Sequence, residues 1–184
     1  MINIKKIEGI VFDSEKNKFG FTFPFRKGLN IISGENSGGK STSLACLYYC
    51  LGMEQLLGGY NEDSLSDALK REFKYDNTTY SVFESYALIE IENEKNDVAV
   101  IKRIIRSAYN EKTNIIEVSL NGSEFEKKFI HAQGDTNNDE GFYNWLSAFA
   151  GITIPTFVTE EGKERKILYM QHIFASVFVE QTKG

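Results

Sequence analysis

Apolar positions along the chain follow more than one period, and the changes of period mark its elements. From residue 3 to 12, Ile4, Ile7, Ile10, Val11 and Phe12 make an apolar-rich run that predicts a strand. The polar stretch Asp13-Ser14-Glu15-Lys16-Asn17-Lys18 predicts a turn. Residues 19–25 alternate aromatic with small or polar side chains, which predicts a second strand with one buried face. Pro24 brings no amide donor, so that strand lies at a sheet edge or ends there. After the turn Arg26-Lys27-Gly28, the apolar run Leu29-Asn30-Ile31-Ile32-Ser33 predicts a buried strand. Positions 43–51 are apolar almost all round, as in a helix covered on both sides, and Gly52 can end it. Residues 56–59 predict a loop, and 63–73 a short helix with Leu65, Ala68, Leu69 and Phe73 on one side.

The period then falls to two. Residues 81–92, 98–105 and 115–120 predict strands, and Asn121-Gly122 predicts a hairpin turn with 123–129 returning. This is an antiparallel meander with solvated outer faces. Residues 133–140, rich in Asp and Asn but without calcium-loop spacing, predict a surface loop. A helix over 142–150 ended by Gly151, an extended segment over 152–158, a turn over 160–163, a helix over 168–174 and a strand over 176–181 complete the chain. The aromatic side chains fall mostly at period two or on apolar helix faces, the positions of core packing rather than of stacking platforms.

Composition narrows the picture. A chain of 184 residues is one domain, or part of one. The net charge of −5 gives it no general attraction for nucleic acid. The basic groups Lys102, Arg103 and Arg106, then Lys127 and Lys128, then Lys163, Arg165 and Lys166 are interspersed with acids and predict solvated faces. Cys46 and Cys50 share a helix face as buried thiols, and no Cys or His cluster has metal-ligand spacing. There is no membrane-length apolar run and no secretory signal, so the expected location is cytoplasmic.

The sharpest signal is Gly34-Glu35-Asn36-Ser37-Gly38-Gly39-Lys40-Ser41-Thr42, which fits the phosphate-binding pattern G-x-x-x-x-G-K-[ST] between a predicted strand and a predicted helix. A polyphosphate is well solvated, and a protein must replace that hydration. Successive amides of such a loop form an anion nest, and the helix N-terminus adds free N–H groups and dipole. The candidate binding residues are Gly34, Asn36, Ser37, Gly38, Gly39, Lys40, Ser41 and Thr42, with Lys40 on the β- and γ-phosphates and the Ser41 hydroxyl on Mg²⁺. The expected cofactors are ATP and Mg²⁺.

An N-terminal first strand, an antiparallel strand pair before the loop, and a meander leading to a terminal apolar strand together resemble one family. That family is the ABC-type ATPase head, in the branch of structural-maintenance-of-chromosomes (SMC) proteins and their DNA-repair relatives. Leu56-Leu57-Gly58-Gly59 and residues 177–184 are similar to SMC-like subunits of anti-phage systems such as Lamassu. The resemblance implies an α/β P-loop NTPase, the N-terminal lobe of such a head, with an antiparallel β-meander and few helices, as a single domain over 1–184. It also implies a Q-loop glutamine, Gln181 with Gln171 as fallback, touching Mg²⁺ and the attacking water. The chain departs from the family in having no arginine at Val11-Phe12-Asp13-Ser14, and no signature, second acidic strand or switch histidine after Gln181.

The expected reading is therefore the nucleotide-holding half of a head whose C-terminal lobe and coiled coil lie on other residues. Such a piece binds ATP weakly and hydrolyses little alone. Implied partners are a second head, as a homodimer, its own C-terminal lobe and, for the full protein, DNA, in repair, chromosome maintenance or phage defence; no membrane is implied. A transporter-type nucleotide-binding subunit and a non-catalytic, nucleotide-dependent interaction module are the alternatives. A kinase or GTPase is disfavoured by the all-β middle and the absence of N-K-x-D.

Overall fold

The computed structural model describes residues 2–34, 39–109, 113–130, 141–166, 170 and 173, with side chains of 164–166 left aside. The first two strands, β1 (Ile2–Asp13) and β2 (Lys18–Pro24), form an antiparallel hairpin. Asp13 builds its turn: Oδ1 accepts from the amides of Glu15 and Asn17, and Oδ2 from the Asn17 side chain. Within the hairpin Gly20 faces Ile10 with φ +150°, and a Cβ there would lie 2.0 Å from the Gly9 carbonyl oxygen. Phe21 lies across Gly9 and covers the surface that glycine leaves bare.

Helix α1 (Lys40–Cys50) follows, then a 3-10 turn at Glu54–Leu57, a second at Asn61–Ser64, and the single-turn α2 (Asp67–Lys70). Strands β3 (Glu72–Tyr75), β4 (Thr78–Asn93), β5 (Val98–Arg106), β6 (Ile115–Leu120) and β7 (Glu126–Phe129) complete a seven-stranded sheet. Its order is β2-β1-β4-β5-β6-β7, with β3 pairing the start of β4, and every pairing is antiparallel. Helix α3 (Phe142–Ala150) and a separate ribbon of β8 (Thr156–Val158) and β9 (Glu164–Lys166) end the named elements.

One face of the sheet is apolar, as the period-two pattern requires. Ile7 and Val11 of β1, Ala87, Ile89 and Ile91 of β4, Ala99, Ile101 and Ile105 of β5, and Ile116 and Val118 of β6 are buried in a single core with α1 and α3. The other face carries ion pairs between neighbouring strands: Lys5 with Glu92, Lys6 with Glu90, Lys102 with Glu117. Such exposed pairs contribute less than about 1 kcal/mol each, so the buried face sets the register. Helix α1 is buried from Ala45 to Cys50 and at Ser43, and it ends at Gly52 in the left-handed conformation, as expected. Helix α3 likewise ends at left-handed Gly151, and the Tyr143 hydroxyl donates to the Gly52 carbonyl, tying the first turn of α3 to the end of α1.

Four expectations are corrected. Among the described residues, 29–33 are not a buried strand: they pair with no described strand, and Leu29 is 90% and Ile31 79% exposed. An apolar run becomes a strand only beside a partner, and none of the described strands takes that place. Asn30 instead folds the chain locally, accepting from the Arg26 amide and donating to the Arg26 and Gly28 carbonyls. Residues 63–73 are not one helix. Asp76 and Asn77 both take positive φ, making the two-residue turn that pairs β3 with β4 and draws Phe73 into the sheet. Residues 56–59 are not all loop, since Leu56 and Leu57 close a 3-10 turn capped by left-handed Gly58. The strand after Asn121-Gly122 begins at Glu126 rather than 123, because the Asn121 side chain is taken up by the Val98 amide and the Asp97 carboxylate. The expectations for 133–140 and 176–181 lie outside the described residues, as do those for 168–174 apart from Met170 and Ile173, which are helical.

Candidate functional site

The C-terminal part of the glycine-rich loop opens α1. Gly39 is the residue before the helix, with φ +79°, a conformation that favours glycine. No side chain caps the first turn and no acid lies in it, so the start of α1 presents backbone N–H groups at the positive end of the helix dipole. The amide of Ser43 is the first used within the helix, to the Gly39 carbonyl at 2.9 Å. Side-chain bonding runs inward: the buried Ser43 hydroxyl donates to the Lys40 carbonyl, while Ser41 is exposed. The Lys40 ammonium donates to the Gly34 carbonyl at 2.7 Å, so its charge stands across the loop that Gly34 begins.

Gly39, Lys40, Ser41 and Thr42 line a cleft of about 840 Å³ together with Phe19 of β2 and Phe73 and Tyr75 of β3. That volume falls within the ~300–1,000 Å³ typical of small-molecule sites. A phosphate tail fits the chemistry present: uncapped amides, one ammonium and two hydroxyls at a helix N-terminus. Gly34, Gly39, Lys40, Ser41 and Thr42 are thus brought together. Glu35, Asn36, Ser37 and Gly38, and the Q-loop candidates Gln181 and Gln171, lie outside the described residues.

The helix that carries this loop is pinned at its far end. Arg103 of β5, entirely buried, forms a two-pronged pair with buried Glu54, both nitrogen–oxygen distances being 3.0 Å. The same guanidinium donates to the Tyr49 carbonyl at 2.7 Å and the Thr113 carbonyl at 2.8 Å, and lies 3.8 Å from the centre of the Tyr49 ring. The Tyr49 hydroxyl in turn donates to the Ile104 carbonyl at 2.7 Å. Helix α1 has no basic residue in its last turn, and Arg103 supplies that charge from the sheet. Burial pushes up the pKa values of Tyr49, Cys46 (to about 12) and Cys50, so all three stay protonated at neutral pH.

Comparison with known families agrees with this arrangement. The family model of the AAA domain matches residues 2–169. The chain belongs to the AAA domain family. A search among curated proteins finds no significant match. This AAA domain has the fold of a P-loop NTPase N-terminal lobe, α/β with an antiparallel sheet and few helices. Domains of this class bind nucleotide, usually with Mg²⁺. No helix among the described residues is long and apolar enough to cross a membrane.

Sequence reasoning missed two parts of this region. Arg103 was expected on a solvated face, yet it occupies the inward register of β5 with Ala99, Ile101 and Ile105, which the period-two pattern already contains. Lys102, the outward neighbour, is the one that pairs with Glu117 and lies over the Tyr86 ring. The aromatic lining of the cleft was missed because the expected helix ran to Phe73, into β3, and Tyr75 was given no element. Its signal was Asp76-Asn77 between Tyr75 and Thr78.

Proposed function

We propose that this AAA domain binds ATP through its phosphate loop as the nucleotide-holding lobe of an SMC-like, DNA-associated ATPase. The observation that carries the reading is the convergence of Gly39, Lys40, Ser41 and Thr42 on one cleft, with the Lys40 ammonium held over the loop by Gly34. Lys40 neutralises the β- and γ-phosphates; the α1 amides donate to their oxygens; the Ser41 hydroxyl holds the metal. Mg²⁺ supplies charge neutralisation of the phosphates when bound. Gln181, in the resemblance, orients the attacking water. A second head, the same chain's C-terminal lobe and DNA are the partners this reading requires, and repair, chromosome maintenance and phage defence are the roles it is compatible with. Its location in this reading is cytoplasmic.

Calorimetric titration with Mg·ATP tests the binding. Removing the ammonium with Lys40→Ala takes away charge-assisted hydrogen bonds and lowers affinity more than about tenfold. Unchanged affinity in Lys40→Ala refutes the assignment of the phosphates to this loop.

A further inference from the structure

Four aromatic rings meet where β2, β3 and β4 come together. Phe19 lies 4.9 Å from Phe73, 5.7 Å from Tyr75 and 4.8 Å from Tyr80, centre to centre. Phe73 stacks on Tyr80 at 5.4 Å with their planes 16° apart. These spacings are those of packed aromatic clusters. The cluster is not, however, closed over. Tyr75 is 61% exposed, and it shares with Phe19 and Phe73 the cleft that Gly39, Lys40, Ser41 and Thr42 also line. An exposed aromatic ring held edge-on by Phe19, in the same hollow as a phosphate-holding loop, is placed to meet the base of a nucleotide.

We propose that Tyr75, held by Phe19, is the stacking platform for the purine base of a nucleoside triphosphate. The proposal rests on the reading that the phosphates lie against Lys40, Ser41 and Thr42. The platform has a cause in the fold. The two-residue turn Asp76-Asn77 sets Tyr75 opposite Thr78 at the end of the hairpin, and Tyr75 and Phe73, two residues apart, share one face of β3. Phe19 on the edge strand β2 meets both rings. A purine presents the same kind of flat π-face whichever groups its edge carries, so stacking of this kind is tolerant of base identity. Tyr75 therefore contributes to adenine and guanine nucleotides alike.

The test uses the 184-residue chain with three probes: Mg·ATP, Mg·GTP and inorganic tripolyphosphate, which has the charged tail without a base. Tyr75→Ala is expected to weaken Mg·ATP and Mg·GTP by roughly tenfold and to leave tripolyphosphate unchanged. Tyr75→Phe, which keeps the ring, restores nucleotide affinity. The platform is overturned if Tyr75→Ala binds Mg·ATP within twofold of the unaltered chain, if tripolyphosphate weakens as much as ATP, or if only one of the two purines is affected. Lys40→Ala separates the two levels. Loss of all three probes supports the phosphate reading. Retention of tripolyphosphate by Lys40→Ala, or no binding of Mg·ATP by the unaltered chain, overturns that reading and the platform with it.

Discussion

Glu54→Leu is the most informative single perturbation of this fold. The side chain is fully buried, as is Arg103, whose guanidinium it receives through two 3.0 Å hydrogen bonds. Leucine fills comparable volume but leaves Arg103 charged, with neutral groups as its remaining described partners: the Tyr49 and Thr113 carbonyls and the Tyr49 ring. Removing one partner of such a pair costs about 3–5 kcal/mol, because a charge stays in a low-dielectric interior. A domain of this kind has about 5–15 kcal/mol in all, so the loss is about a fifth of the total or more. At about 2–4 °C per kcal/mol for this size, the melting temperature falls by about 6–20 °C. Equilibrium unfolding in urea, followed by circular dichroism and by the fluorescence of Trp145, measures it. Adding Arg103→Met removes the stranded charge and returns most of the stability, since an apolar replacement of a whole buried pair is close to neutral. Were Glu54→Leu to unfold within 1 kcal/mol of the unaltered protein, or the double variant to be the less stable of the two, the pair would not be the clamp on α1 argued above.

Other predictions follow from single sites. Gly20→Ala places a Cβ 2.0 Å from the Gly9 carbonyl at φ +150°, so the β1–β2 hairpin must distort; a loss of about 1–3 kcal/mol is expected in the same urea assay. Cys46 and Cys50 are buried, with thiol pKa values pushed up by burial, to about 12 for Cys46; at pH 8 a thiol reagent is expected to label neither until urea unfolds the chain, and rapid labelling of the native protein would refute their burial. The Asn17 side-chain amide, with the backbone amides of Asn17 and Glu15, holds the Asp13 carboxyl below its ordinary value against the effect of burial. Its stabilisation is therefore present above the unfolded pKa of about 4 and lost as pH falls through the folded value, so Asp13→Asn should flatten the acid limb of a stability–pH curve.

Much of the fold was legible because half-buried antiparallel strands write their register into the alternation of side chains. Strands β4, β5 and β6 came out close to their observed bounds, since each buries every second residue against α1 or α3. The loop residues Gly39, Lys40, Ser41 and Thr42 were legible for a different reason. Their chemistry depends on backbone amides and one lysine at fixed spacing, which a linear pattern captures without any tertiary information. The aromatic side of the cleft was not legible in that way. It is assembled from Phe19 and Tyr75, far apart in sequence, and it exists only because an Asp-Asn turn sends the chain back as β4. The helical spacing of apolar residues over 63–73 outweighed two residues whose effect is to reverse direction.

The failure at residues 29–33 has the same origin and shows where pattern reading stops. Leu29, Ile31 and Ile32 are what a buried strand is made of, but a strand is a property of a pair. Its amides need a neighbour's carbonyls, and its side chains need a face to lie on. The described strands of the main sheet satisfy one another in a continuous antiparallel order. Asn30, with three hydrogen bonds to Arg26 and Gly28, binds the start of the run into a local turn instead. Alternation can say that these residues favour burial, but the neighbour that would grant it is not encoded in the run itself. Helix α1 escapes that dependence. Arg103 and Tyr49 fix it to β5 at one end, and its other end carries the loop residues Gly39 to Thr42 with no side-chain cap.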